Sequence, residues 1–127
     1  MADITTVEGL RVLFDSAAIS AVADSDIQTG AAGAVIYGLG PQGLVVSEST
    51  DALIGRLNLT SSLAKLTRPD GSPIWINGKS VSVARQPSSG EYEAQAHSVI
   101  FADALKQAVR ETLDEVKQAV NPVGGNL

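Results

Sequence analysis

The chain has 127 residues, 44% hydrophobic and 18% charged, with nine Lys and Arg against fourteen Asp and Glu, a net charge of −5. That length holds one ordinary domain or two very small ones, and the composition excludes wholesale disorder. With no Cys and a single His, disulfides, thiolate chemistry, and thiolate or two-histidine metal sites are excluded within one chain.

In chain order, Ile4 to Glu8 and Leu10 to Asp15 flank Gly9 and read as strands, being rich in β-branched residues. Ile19 to Ala23 alternates apolar with small residues, and Asp24 to Gly33 reads as a loop. Ala34 to Leu39 and Leu44 to Ser47 are parted by Gly40-Pro41-Gln42-Gly43, a strong turn signal. Ser49 is placed to cap a helix with Asp51 in its first turn and Leu53, Ile54 and Leu57 as its apolar stripe. Ala64 to Arg68 and Pro73 to Asn77 flank the hairpin turn Pro69-Asp70-Gly71-Ser72. Val81 and Val83 alternate with Ser80 and Ser82 as a half-buried strand, and Gln86 to Gln95 reads as a loop. Thr112 and Glu115 make a capping box for a helix ended by Pro122, with Leu113, Val116 and Val120 on one face; residues 122–127 are expected as a flexible tail.

An internal repeat runs through these elements. Leu10-Arg11-Val12-Leu13-Phe14-Asp15 lies over Ser72-Pro73-Ile74-Trp75-Ile76-Asn77 at an offset of 62, and Ala18 to Val22 lies over Ser80 to Ala84. Val35-Ile36-Tyr37 falls on Val99-Ile100-Phe101 at 64, and Val46 to Asp51 falls on Val109 to Asp114 at 63. The offset changes only in expected turns, where insertions are tolerated. The fold expected is therefore α+β, a tandem duplication of a ββββα unit (1–60 and 61–121) packed as an intramolecular pseudo-dimer. The repeat conflicts with one local signal: Phe101 to Val120 alone has the spacing and composition of a long amphipathic helix. The equivalent stretch of the first unit contains Pro41 and three Gly, so strand, turn, strand and helix is the expectation in both.

The run Lys65-Leu66-Thr67-Arg68-Pro69-Asp70-Gly71-Ser72-Pro73-Ile74-Trp75-Ile76-Asn77, followed by Val109-Arg110-Glu111-Thr112-Leu113-Asp114-Glu115-Val116, resembles the FlbD-like (SwrD) family of small bacterial proteins. The resemblance spans about Lys65 to Val120. It departs at the long Gln86 to Gln95 loop, at Ala104 where a turn Gly is usual, and in the tandem arrangement. It implies a fold and an association with flagellar function or its regulation, and it brings no active-site residues.

No residue pattern carries chemistry. His97 has no partner at diagnostic spacing, and Glu48 and Glu111 are equivalent positions expected to serve helix starts rather than acid/base work. Gly38, Gly40 and Gly43 satisfy a dinucleotide-loop pattern as letters, but a strand follows where that motif needs a helix. Catalytic, cofactor and metal sites are accordingly not expected. Strand neighbours point to opposite faces, so Trp75 cannot share a face with Ile74 and Ile76, nor Leu13 with Val12 and Phe14. Both faces of these strands are apolar and need covers, which points to packing between units and to oligomerisation. Lys65, Arg68, Lys79 and Arg85 could form a basic patch near Trp75. Yet the first 60 residues hold two basic and seven acidic residues, and the rest hold seven of each, which disfavours nucleic acid.

The expected function is non-catalytic protein interaction or assembly, with a protein partner or itself, through β-sheet surfaces and edges including Trp75 and Leu13. A component of a phage or other bacterial assembly fits the composition. The alternative is a FlbD-like regulatory protein contacting DNA or a DNA-bound partner. The opening residues lack a signal-peptide pattern and no apolar run is of membrane length, so the expected location is cytoplasmic, or a virion if phage-encoded, without membrane contact.

Overall fold

Gly9, at φ +90°, lets the chain turn back on itself in the first hairpin. The computed structural model describes residues 2–24, 33–40, 43–91 and 94–127. β1 (Ala2–Thr5) and β2 (Arg11–Phe14) pair antiparallel, with Asp3 opposite Leu13 and Ile4 opposite Val12. Both are shorter than the runs expected either side of Gly9. Thr6 leaves the hairpin to bridge Val46, and Val7 N–H donates to the Val45 carbonyl. Asp15 caps a 3₁₀ turn over Ser16–Ala18 by accepting from Ala17 N–H. β3 (Ala21–Asp24), β4 (Ala34–Tyr37) and β5 (Leu44–Val46) form an antiparallel meander. The expected loop over 24–33 and turn over 40–43 fall largely outside the described residues. α1 (Thr50–Arg56) starts at the expected Ser49 cap, whose side chain accepts from Ala52 N–H.

The second half repeats the series. β6 (Leu63–Thr67) and β7 (Pro73–Asn77) form a hairpin about Gly71, and Asn77 caps a 3₁₀ turn over Gly78–Ser80. β8 (Val81–Arg85), β9 (Ser98–Ala102) and β10 (Leu105–Val109) make the second meander, followed by α2 (Leu113–Val120) with both halves of the Thr112–Glu115 capping box formed. The helical spacing over 101–120 is thus overridden. Asp103 takes the left-handed φ of 54° that a tight turn needs, and its N–H donates to the Ser80 carbonyl. Each half therefore has five strands, the number of runs read singly in the first half and one more than the expected ββββα unit. Residues 122–127, expected as a flexible tail, turn back: Asn121 bonds both the N–H and the carbonyl of Leu127, which packs on the core.

The pairing registers of the two halves coincide. Asp3 opposite Leu13 becomes Lys65 opposite Trp75 at an offset of 62, and Ile4 opposite Val12 becomes Leu66 opposite Ile74. In the meanders, Val22 opposite Ile36 becomes Ala84 opposite Ile100, and Ala34 opposite Val46 becomes Ser98 opposite Val109. The 3₁₀ turns, their Asp15 and Asn77 caps, and the helix caps Ser49 and Thr112 also correspond.

The halves are joined through one sheet. Its order is β5-β4-β3-β7-β6, so the second hairpin completes the first meander across residue 60. One face carries Val22, Ile36, Val46 and Leu63 and is covered by the first hairpin and α1 through Ile4, Phe14, Leu53 and Ile54. The opposite face carries Ala21, Ala23, Leu66, Ile74 and Ile76 and is covered by Ile100, Val109, Val116 and Val120 from the second meander and α2. The middle layer is thus apolar on both sides and read by two cores. Two smaller sheets remain, β10-β9-β8 and β1-β2.

Candidate interaction surface

The cover that Trp75 and its neighbours need is supplied within the chain. Ile74 and Ile76 are fully buried in one core, while half-buried Trp75 packs against the other. Trp75 is therefore no free anchor. Leu13, the residue at the matching position of β2, is 58% exposed. The four large exposed hydrophobic residues among those described are Val7, Leu10, Leu13 and Val83. Three stand in or beside the first hairpin and the fourth stands in β8. Both places are sheet edges among the described residues, as β5, β6 and β10 also are. Among the described residues β2 pairs only with β1, and β8 only with β9. Sequence reasoning named Leu13 and missed Val83. The signal was the offset: Val83 stands over Ala21, which is wholly buried because β7 and the second core cover it.

The residues of the expected basic patch stand on different elements. Lys65 stands across from Trp75, its Nζ 5.5 Å from the ring centroid, in cation–π range. Arg68 leaves the other end of β6, where its Nε donates to Ser72 Oγ at 2.7 Å. Lys79 lies in the 3₁₀ turn beyond β7, and Arg85 ends β8 in a different sheet. Arg85 is further committed to a bidentate pair with Glu91 at 2.8 Å, and Lys106 Nζ meets the same carboxylate at 2.8 Å. Arg85, then Lys106 and the Ser88 N–H, hold the Glu91 carboxyl well below the usual carboxylate range.

The remaining singled-out polar residues have structural partners. Glu48 forms a bidentate pair with Arg56, and Glu111 Oε1 accepts from Thr67 N–H at 2.9 Å. His97 is exposed, with Nδ1 2.6 Å from the Arg110 carbonyl. Gly38 and Gly40 follow β4 in a turn to β5, and Gly38 φ of +106° reflects a close pass over Ala18 and Ser20. Among the described residues no buried side-chain polar atom lacks a hydrogen-bond partner. No three His, Asp or Glu side chains there group as metal ligands.

Beside β8 lies an open groove of about 470 Å³, lined half by Val83, Ala84, Leu113 and Leu127 and half by polar side chains including Asp114 and Lys117. Ala84 in this groove is the counterpart of Val22, against which β7 and Trp75 are paired in the first half. Among the described residues the arrangement offers an open strand edge beside a shallow groove of mixed apolar and polar lining. No family model, curated protein or solved structure matches the chain. Among the described residues no helix is long and apolar enough to cross a membrane.

Proposed function

We propose that the chain is a tandem duplication of one sheet-and-helix unit and that it works as a non-catalytic interaction and assembly protein through its strand edges. The coincident registers of the two halves support the duplication. The observation that carries the function is the confinement of Val7, Leu10, Leu13 and Val83 to two open-edged strand regions. Edge strands that remain both unpaired and apolar are templates for added strands, and proteins that stay solitary usually blunt them with charge or proline. A modest charge and the abundance of small residues suit a subunit of a larger particle, phage or bacterial.

The FlbD-like regulator remains the second reading for the Lys65–Trp75 face alone, where a cation and an aromatic ring stand together. The two readings separate by sedimentation velocity over a concentration series and by DNA mobility shift at low salt. Assembly gives a mass that rises above monomer and is lost in Leu13→Glu. The regulator gives a salt-sensitive DNA shift lost on charge reversal at Lys65, Arg68 and Lys79. A chain that stays monomeric and shifts no DNA overturns both.

A further inference from the structure

We infer that the assembly partner is a second copy of this chain, docked head to tail: β2 of one copy adds antiparallel to the open edge of β8 of the next, in the register that β7 adopts on β3. This inference rests on the assembly reading above and gives it an occupant and a geometry.

The chain holds its own template for the contact. β7 joins β3 with Ala21 opposite Ile76, Val22 opposite Trp75 and Ala23 opposite Ile74, and Asn77 N–H extends the ladder to the Ser20 carbonyl. At the offset of 62 shared by both hairpins and both strands, β3 becomes β8 and β7 becomes β2. The same pairing between copies sets Val83 opposite Phe14 and Ala84 opposite Leu13. Leu13 then enters the groove lined by Ala84, Leu113 and Lys117, as Trp75 packs on the core containing Val22. Val83 gains the cover that leaves Ala21 wholly buried. One contact thereby covers an exposed residue on each partner and extends the three-stranded sheet to five, matching the sheet already present.

The second copy is favoured over an unrelated partner because both halves of the contact are on this chain and only one of two equivalent junctions is made within it. β3 has received a hairpin from the second half, while among the described residues β8 has received none. Such a contact uses different surfaces on its two sides, so repetition gives a ring or an open filament rather than a closed pair. Three positions depart from the template, the first being a β-bulge in β8 that leaves Ser82 unpaired between Val81 and Val83. Arg85 stands where the first half has Ala23, so the matched edge runs from Ser82 to Ala84 and ends at the Arg85–Glu91 pair. Asn77 Nδ2 donates to the Ile19 carbonyl at 2.8 Å, and Asp15 at the corresponding place has no such donor. Asp15→Asn supplies it and is expected to tighten self-association roughly fivefold, the worth of one added hydrogen bond.

The absence of native Cys makes the register directly testable by disulfide trapping. The pair is a hydrogen-bonded one in the template, with Cα atoms about 5.5 Å apart, inside the span a disulfide bridges. Leu13→Cys and Ala84→Cys chains, each folded and then mixed under mild oxidation, should give a 13–84 cross-linked species in high yield. Leu13→Cys mixed with Ser82→Cys, two residues out of register, should give little. The double variant should give a ladder of multimers or a closed ring. Sedimentation of the unmodified chain accompanies the trapping. Self-association with equal or greater trapping at 13–82 or 13–13 overturns the head-to-tail register and leaves the assembly reading standing. A monomer at every concentration with no trapping overturns the inference and removes self-assembly from that reading. Leu13 is exposed and Ala84 tolerates a thiol of similar size; matching circular dichroism of both variants and the unmodified chain excludes misfolding as the cause of a negative result.

Discussion

Single side chains decide where this chain turns and where its helices start. Thr112 accepts from Glu115 N–H while Glu115 returns a bond to Thr112 N–H, so two otherwise orphan donors at the start of α2 are satisfied. Thr112→Ala should lower stability by about 1 kcal/mol in urea unfolding, with an unchanged slope. Gly38 is more demanding. A Cβ there would sit 2.5 Å from the Ala18 carbonyl oxygen and 2.6 Å from the Ser20 nitrogen, at a backbone φ of +106°. Gly38→Ala should therefore cost about 1–3 kcal/mol from backbone strain alone, and more from the contact, read as a fall in thermal midpoint. Glu91 supplies a pH-dependent clamp. Its folded pKa lies below the ordinary 4.5, so its contribution is complete above that pH and is lost as pH falls below it through the folded midpoint. A carboxyl titration by NMR should place Glu91 far below 4.5 in the unmodified chain and return it toward 4.5 in Arg85→Gln.

Elements were legible to different degrees, for physical reasons that differ between them. β7 was read to the residue because Pro73 opens it and Asn77 closes it as a cap. The capping residues Ser49 and Thr112 were likewise visible, since capping is local chemistry. β1 was misplaced because Thr6 and Val7 are β-branched and look like strand, yet their partners are Val45 and Val46 from a distant strand. Local propensity carries no information on that choice. Phe101 to Val120 shows the converse, a helical period overridden by pairing of β9 with β10. The repeat resolved it, because Gly and Pro in the first half forbid what the second half's composition allows. At this scale, Ile74→Ala should cost about 2–5 kcal/mol, since it empties a fully buried site shared by the sheet and the second core. Leu13→Glu, at a residue 58% exposed but directly opposite Asp3, should cost about 1 kcal/mol in unfolding through the like charge it sets across the pair.

Across the whole molecule, the arrangement is asymmetric although its halves are alike. The second hairpin completes the first meander, whereas among the described residues β2 and β8 receive no hairpin from the other half. The sequence carried the likeness of the halves and the apolar character of both strand faces. It did not carry which junction closes within the chain, because Leu13 and Trp75 read alike until the sheet order is known. Once it is known, Trp75 is half-buried against a core while Leu13 and Val83 hold exposed positions. The same arrangement puts Lys65 and Arg85, read together as a charge patch, in different sheets. Assembly is most directly tested by sedimentation velocity of the unmodified chain and of Leu13→Glu over a wide concentration range. The expected result is a weight-average mass that climbs with concentration for the first and stays at monomer for the second, both fully folded. A monomer mass for both across the range, or an identical rise in both, would contradict it.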